Sequence, residues 1–141
     1  MRNATRGFTL IELVVVITIL GILAAFAVPR FLQLDQQARI ASLQGLQGAV
    51  RSGATLARAM SLANGGQAVV MEGNTITMTN GYPDATATGI LATLQDTQGF
   101  TFNAGLFSRN GAPTPATCSF TYAAAAANGA PSISIPDVSG C

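Results

Sequence analysis

The sequence predicts an α+β protein in which a long, kinked N-terminal helix, transmembrane in its first half, packs on a small antiparallel β-sheet. Three observations support this prediction. Residues 8–28 form an apolar run with a single charge, and residues 31–62 continue without proline and carry apolar residues at helical spacing. The remainder alternates in short segments between turn residues. A chain of 141 residues predicts one domain in addition to the helix.

The apolar run at 8–28 is long enough to cross a membrane. Its 21 residues would extend about 31 Å as a helix, close to the roughly 30 Å of a bilayer's hydrocarbon core. Arg2 and Arg6 lie in the short tail before it, which places that tail in the cytoplasm and the rest of the chain outside.

Two ordinary explanations of this run are incomplete. A cleaved signal peptide has an apolar region of only about 7–15 residues, and the small residues at 24–27 lie inside the run rather than after it. A plain signal anchor explains the length and the arginines, but it does not explain Glu12 or the Gly7-Phe8 junction. An acid inside a bilayer costs up to roughly 2.5–3.5 kcal/mol, so Glu12 calls for a partner charge.

Residues 6–13, RGFTLIEL, resemble the processing site of type IV prepilins and the related pseudopilins. The resemblance covers about the first thirty residues and implies that a prepilin peptidase cleaves after Gly7 and N-methylates Phe8. It places Glu12 at the family's glutamate and Pro29 at its helix-kinking proline. Gly7 has no side chain, which lets a protease approach the backbone closely.

The resemblance implies a type IV pilin fold with three parts. Residues 1–7 are the leader peptide, and residues 8–30 are the hydrophobic transmembrane and assembly helix. Residues 31–141 are the globular domain, which contains an amphipathic helix at 31–62 and a sheet at 67–141.

The resemblance also implies partners and a location. Cleavage exposes an amine on Phe8, which pairs with Glu12 of a neighbouring subunit in a helical filament of identical chains. Separating a buried charge pair typically costs about 3–5 kcal/mol, so the pair would select register as well as add attraction. Other implied partners are the inner membrane before assembly, the prepilin peptidase, the assembly platform with its ATPase, and an outer-membrane secretin. The mature subunit is then expected at the cell surface.

The second half of the helix is predicted to be amphipathic. Its apolar face is formed by Leu43, Leu46, Val50, Ala54, Ala57 and Met60, and its polar residues off that face are Arg39, Gln44, Gln47, Arg51 and Arg58. Asn64, Gly65 and Gly66 are typical of a helix end.

Five positions are expected to weaken or specialise this helix. Pro29 predicts a kink, and Gly21 weakens the helix, so the stretch at 21–29 is predicted to be the soft part of the rod. Gly45, Gly48 and Gly53 allow close backbone approach, either of the sheet within the subunit, which is favoured, or of another subunit.

Beyond the helix, the sequence predicts turns, short strands and one short helix. Strands are expected at 68–71 and 75–78 around a turn, and again at 99–102, 119–122 and 132–135. Residues 86–95 suit a short helix capped by Asp84, with Ile90, Leu91 and Leu94 buried. The stretch NGYPDATATGI at 80–90 also resembles the middle of mannose-sensitive haemagglutinin-type major pilins.

Cys118 and Cys141 are the only cysteines, 23 residues apart. A disulfide is the expected state in an extracytoplasmic domain, because two cysteines without histidine make a poor zinc site. The bridge would tie the C-terminus to the strand at 119–122. The resemblance implies that this loop forms an exposed, variable face of the fibre.

Composition favours a structural protein over an enzyme. The chain contains no His and no Lys, and its outward acids are scattered singly, so neither general acid–base chemistry nor a metal or other cofactor is expected. Removal of the leader would leave five Arg against six acids, and near neutrality favours self-association. An exposed Arg109 is thin support for DNA binding, which needs clustered cations.

Three functional interpretations remain. The first is the structural subunit of a type IV pilus, a fibre for adhesion, attachment or motility. The second is a pseudopilin of a type II secretion system, forming a periplasmic fibre; the family's major pseudopilins usually carry a calcium site in an acidic C-terminal loop, where this chain has only Asp137. The third is a DNA-uptake or ligand-binding minor pilin. A membrane-anchored binding module that does not assemble is a remote fourth.

Overall fold

The computed structural model describes residues 7–66 and 68–141. Arg2 and Arg6, which are predicted to lie in a cytoplasmic tail, are outside the described residues. The chain divides into two units, one ending at Gln37 and one comprising Ala38–Cys141. The elements in chain order are α1 (Leu10–Ala63), β1 (Val69–Met71), β2 (Asn74–Ile76), β3 (Met78–Thr79), β4 (Tyr82–Pro83), a 3-10 helix (Leu91–Thr93), β5 (Phe100–Asn103), β6 (Leu106–Arg109), a second 3-10 helix (Pro115–Thr117), β7 (Ser119–Ala123) and β8 (Ser132–Ile133).

The first unit is helical and apolar on all sides. Phe8 is 81% exposed, and the large apolar side chains that follow it as far as Leu34 are exposed as well. Over the described residues, α1 is the helix long and apolar enough to cross a membrane, and its most apolar window has a mean hydropathy of 2.8 with none of it buried. The helix runs through both Gly21 and Pro29. A helix that is hydrophobic all round needs an apolar environment that its own subunit does not supply here.

The second half of α1 provides the main core of the Ala38–Cys141 unit, as its periodicity predicts. Leu43, Leu46, Val50 and Ala54 are buried on one face. They belong to one cluster with side chains from the rest of the unit, including Ile90, Phe107, Phe120 and Tyr122. A smaller cluster contains Ala57, Val69 and Ile76, with Met60 half-buried against it. The helix ends in a left-handed turn, in which the Gly66 N–H donates to the Ser61 carbonyl over 2.8 Å.

Close backbone approach within the subunit was expected at three helical glycines and is confirmed at one of them, where the neighbour is the 3-10 helix rather than the sheet. Gly53 is buried, and a Cβ there would collide with Thr93. Gly45 and Gly48 are exposed, and a Cβ at either would meet nothing within 4 Å. The favoured explanation, close approach within the subunit, is therefore wrong for Gly45 and Gly48, because both point away from the core.

The strands form antiparallel pairs, in agreement with the predicted class. β5, β6, β7 and β8 lie in that order in a four-stranded sheet, while β1–β2 and β3–β4 are two-stranded. Phe107 pairs with Phe102 on one side and with Phe120 on the other. The Phe107 and Phe120 rings stack with centroids 5.0 Å apart. This aromatic layer faces the helix and closes the core.

Two local predictions need correction. β6, at Leu106–Arg109, was not predicted, although Phe107 is fully buried in it. The helix expected at 86–95 is reduced to turns and the 3-10 helix at Leu91–Thr93, and of its three expected core residues only Ile90 is fully buried. Asp84 caps no helix; its Oδ1 accepts hydrogen bonds from the Thr86 N–H, at 3.1 Å, and from the Thr86 hydroxyl.

The C-terminal segment is fixed to the sheet at several points. Cys118 and Cys141 are joined in a disulfide, and both are buried. The Gln47 side chain donates to the Ser134 carbonyl over 2.7 Å. Asp137 pairs with Ser119 through two backbone hydrogen bonds of 3.0 and 2.8 Å. The bridge therefore holds the C-terminus beside β7, where the sequence predicted it.

Candidate functional site at the start of the apolar helix

Thr9 and Glu12 form a reciprocal cap at the start of α1. The Thr9 N–H and hydroxyl donate to Glu12 Oε2 over 2.9 and 2.8 Å. The Glu12 N–H points back to the Thr9 hydroxyl oxygen over 3.3 Å. This is a capping box, which satisfies backbone donors that a helix start otherwise leaves open. The pattern Thr-x-x-Glu was visible in the sequence, but the sequence analysis did not assign Thr9 this role.

The capping box leaves part of the Glu12 carboxylate available. Its Oε2 is occupied by Thr9, while Oε1 has no hydrogen-bond partner among residues 7–66 and 68–141. The carboxylate lies in a shallow concavity of about 400 Å³, lined by Phe8, Ile11, Val15 and Val16. An acid on an otherwise apolar surface therefore presents one free oxygen to an approaching donor.

The predicted cleavage site lies directly before this cap. Gly7 and Phe8 are both exposed and precede the first helical residue, Leu10. A Cβ at Gly7 would meet nothing within 4 Å. The described residues therefore contain no steric reason for glycine at this position, and the cleavage site stays a prediction.

The structure brings together only some of the predicted site residues. Phe8 and Glu12 line the same concavity. Gly21 and Pro29 lie further along α1, and a Cβ at Gly21 would also meet nothing within 4 Å. The disulfide cysteines belong to the other unit.

Arg109 is not the exposed cation that the sequence suggested. It is half-buried, with its guanidinium 5.0 Å from the centroid of the Phe100 ring, and it donates to the Gly99 carbonyl over 2.6 Å. One of its N–H groups is thus used within its own subunit, while its buried Nε has no hydrogen-bond partner among the described residues. Within the described ranges, no group of three or more His, Cys, Asp or Glu side chains is placed to hold a metal ion.

Comparison with known proteins shows what parts of the chain are similar to. Residues 2–28 match the prokaryotic N-terminal methylation motif. A stretch of 52 residues, 37% of the chain, is 54% identical to the type IV narrow pilus major component PilA5 of Thermus thermophilus. Another relative is the type IV major fimbrial protein FimA of Dichelobacter nodosus, 58% identical over 31 residues, 22% of the chain. Over these stretches the chain is similar to type IV pilins.

The likeness of this chain to its relatives is local. The matched stretches span 45% of the Thermus protein and 19% of the Dichelobacter protein. No solved structure matches the chain. The motif at residues 2–28 includes Gly7, Phe8 and Glu12, so the capped, half-available carboxylate lies inside the part that defines the family. The resemblance at 80–90 to mannose-sensitive haemagglutinin-type pilins stays a prediction.

Proposed function

We propose that this chain is the structural subunit of a type IV pilus that assembles through its N-terminal helix into an extracellular fibre for adhesion, attachment or motility. The observation that carries the proposal is an apolar helix, exposed along its whole first half, with a partly available carboxylate at its start. Such a surface is stable in only two settings, a lipid bilayer or a bundle of like helices. The precursor would occupy the first and the fibre the second.

The processing chemistry and the carboxylate fit together. Cleavage by a prepilin peptidase after Gly7 would leave a methylated amine on Phe8. In the fibre, this amine would bind the Glu12 carboxylate of a neighbouring subunit, while Thr9 continues to hold Oε2. The cap thus orients the carboxylate before its partner arrives. Transport from the inner membrane to the cell surface would use an assembly platform, its ATPase and an outer-membrane secretin.

Two observations favour a pilus over a secretion pseudopilin. The matched relatives carry names that describe major components of pili. Asp137 is the only acid in the last 40 residues, and its Oδ1 accepts hydrogen bonds from the Ser139 N–H and hydroxyl over 3.0 and 2.7 Å. These bonds lower the pKa of the Asp137 carboxyl, and a single, locally bonded carboxylate does not supply the six to eight oxygen ligands that calcium prefers.

The direct test is the intact mass and N-terminal sequence of protein sheared from the cell surface. We expect a chain that begins with N-methylated Phe8 and is two hydrogens lighter than its reduced form. The Gly7→Leu variant should keep Met1 and yield no fibres. Processed protein that stays in the inner membrane would favour the pseudopilin, and an uncleaved wild-type chain would contradict the proposal.

The role of the Glu12 charge can be separated from its role in the cap. Glu12→Gln keeps a side-chain oxygen for the capping box but removes the charge, and Glu12→Ala removes both. Both variants should insert in the membrane and fail to enter fibres, because the neighbour's amine would be buried unpaired at about 3–5 kcal/mol.

Thr9→Val is the matched control for these variants. It weakens the cap while keeping the carboxylate, so fibres should still form. Normal fibres from Glu12→Gln would show that the charge pair is not what holds the helices, and loss of fibres in Thr9→Val alone would assign Glu12 to capping only.

A further inference from the structure

The outward face of α1 in the Ala38–Cys141 unit is lined by small side chains. They recur every three or four residues, all are exposed, and we refer to them as the small-residue ridge: Ala41, Gly45, Gly48, Ser52, Thr55 and Ala59. Glycine inside a helix costs up to about 1 kcal/mol relative to alanine. A Cβ at Gly45 or Gly48 would meet nothing within 4 Å among the described residues. Contacts within the described part of the subunit therefore do not offset this loss of helix stability.

An acidic cleft lies on one side of the ridge. It has a volume of about 650 Å³ and is lined on the helix side by Ser52 and Leu56, among others. Glu72 and Asp96 stand on its opposite wall, and no arginine lines it. Glu72 accepts a hydrogen bond from the Gln95 side chain, and Asp96 accepts one from the Gln98 N–H over 2.7 Å. Both residues are exposed, so their carboxylates are accessible to an incoming cation.

A basic cleft lies on the other side of the ridge. It consists of two adjoining hollows of about 470 and 260 Å³ that share Tyr82 and Ala130, with Arg58 in the first and Arg51 in the second. Arg58 lies 5.1 Å from the Tyr82 ring centroid, which fixes its guanidinium. Arg51 is exposed, and among the described residues its guanidinium contacts no acceptor. No acid lines either hollow.

The acidic and basic side chains at the two clefts are separated by sign, and they make up half of the charged side chains of the Ala38–Cys141 unit. Its eight charged side chains are Arg39, Arg51, Arg58, Arg109, Glu72, Asp84, Asp96 and Asp137. The four outside the clefts are bonded within the subunit: Arg39 to the Cys141 carbonyl, Arg109 to Gly99, Asp84 to Thr86 and Asp137 to Ser139. At the clefts, Arg58 also donates to the Gly81 carbonyl over 3.3 Å, and Glu72 and Asp96 accept the bonds described above. The other four stand at the clefts, with one sign on each side of the ridge.

From this geometry we propose that neighbouring copies of this chain pack head to tail, with the acidic cleft of one copy against the basic cleft of the next. The inference rests on the proposed function, since it assigns a contact surface within the fibre. A contact of either cleft with its own copy would place like charges together, whereas a contact between the two different clefts pairs opposite charges. In a head-to-tail arrangement this contact repeats without closing, as the proposed fibre requires. Arginine suits this contact because its planar fork binds carboxylates through two hydrogen bonds. The small-residue ridge lets the backbones approach.

The test is charge reversal at the residue with the fewest contacts of its own. Arg51→Glu should lower the yield of sheared fibres at least about tenfold, because it places like charges together, while the precursor in the membrane keeps its thermal stability. Adding Glu72→Arg or Asp96→Arg to Arg51→Glu should restore most of the yield. Glu72→Arg alone should also reduce it.

A matched control separates pairing from net charge. Asn103→Arg with Ala116→Arg changes the net charge by +2, as the reversal of one acid does, but at exposed positions outside both clefts. Combined with Arg51→Glu, this pair should not restore fibres. Restoration by the control pair, a normal yield from Arg51→Glu, or no recovery with either acid reversed would each overturn the proposal. If the wild-type chain itself forms no fibres, it is the proposed function that fails.

Discussion

Tyr122 shows how a single polar atom is accommodated in the core. Its ring is buried, and its hydroxyl donates a 2.6 Å hydrogen bond to the Pro83 carbonyl, which ties β7 to β4. Burial, with the negative charge of Asp84 and then Tyr82 as smaller contributions, raises the pKa of Tyr122 to about 12. The ordinary value is near 10, so the native fold favours the protonated phenol.

This environment predicts a specific loss of stability in alkali. Because the folded-state pKa is raised, the contribution of Tyr122 is complete below about pH 10 and is lost as the pH rises towards about 12. The chain has no lysine and only two tyrosines, so few other side chains titrate in this window. Tyr122→Phe should cost about 1–3 kcal/mol at pH 8 and should flatten the alkaline decline. Urea unfolding of the detergent-solubilised chain from pH 8 to 12 measures both effects.

Tyr82→Phe is the control for this prediction. Tyr82 is half-buried beneath Arg58, so its loss should cost less, and the alkaline decline should remain. An unchanged decline in Tyr122→Phe would contradict the assignment.

The capping box at the start of α1 illustrates what residue-level sequence reading captured and what it missed. The unusual position of Glu12 was evident, because a charge in an apolar run stands out by cost alone. The hydrogen bonds from Thr9 were not predicted, because a carboxylate in an apolar run indicates a partner cation more strongly than a hydroxyl three residues away. The two roles are compatible because a carboxylate has two oxygens.

At the scale of elements, long periodic segments were predictable and short strands were not. The helix and its buried face follow from a pattern repeated over many turns, with Leu43, Leu46 and Val50 where the period requires them. β6 has only four residues, too few for alternation to be recognised. The helix expected at 86–95 does not form, although Asp84 accepts from the Thr86 N–H as a capping residue would. Gly89 lies in its middle and lowers helix propensity, and a Cβ there would collide with Asp84.

The three glycines of the second half of α1 should respond differently to alanine. Gly45→Ala and Gly48→Ala should each raise the stability of the subunit by about 0.5–1 kcal/mol, because alanine favours the helix and nothing obstructs its methyl group. Gly53→Ala should lower it, because the methyl would collide with Thr93. Thermal unfolding of the three precursors makes the comparison. Destabilisation at 45 or 48 would reveal a close neighbour within the subunit.

The stretch at 21–29 is predicted to be the weakest part of α1. Pro29 cannot donate the hydrogen bond that another residue would form, and Gly21 lowers helix propensity. Backbone amides there should exchange with solvent deuterium faster than those at 46–57, and Gly21→Ala with Pro29→Ala should slow them. Equal protection of both stretches in the detergent-solubilised wild-type chain would contradict the prediction.

At the scale of the whole molecule, the two units differ in how far they could be predicted from the sequence. The N-terminal segment holds the methylation motif, which is recognisable because it consists of a few residue types at fixed spacing. The Ala38–Cys141 unit has to satisfy only core volume, strand pairing and a closed C-terminus, and many sequences meet those requirements. Its charge-sorted clefts could not be predicted from sequence, because Glu72 and Asp96 lie far from Arg51 and Arg58 along the chain.

The disulfide is the feature on which the C-terminal part of this unit most depends. Cys118 and Cys141 enclose a loop whose closure contributes about 3 kcal/mol in the chain-entropy model. Reduction should therefore lower the free energy of unfolding by about that amount, and amides in β8 and at 134–141 should lose protection before those of β5–β7. The backbone pairing of Ser119 with Asp137 and the Gln47 contact to Ser134 would then hold the segment alone.

Calorimetry and hydrogen exchange with and without reductant measure this loss of stability and protection, and a Cys118→Ala, Cys141→Ala chain should not respond to reductant. Full protection of the reduced segment would mean that these hydrogen bonds, rather than the covalent link, fix the C-terminus to the sheet.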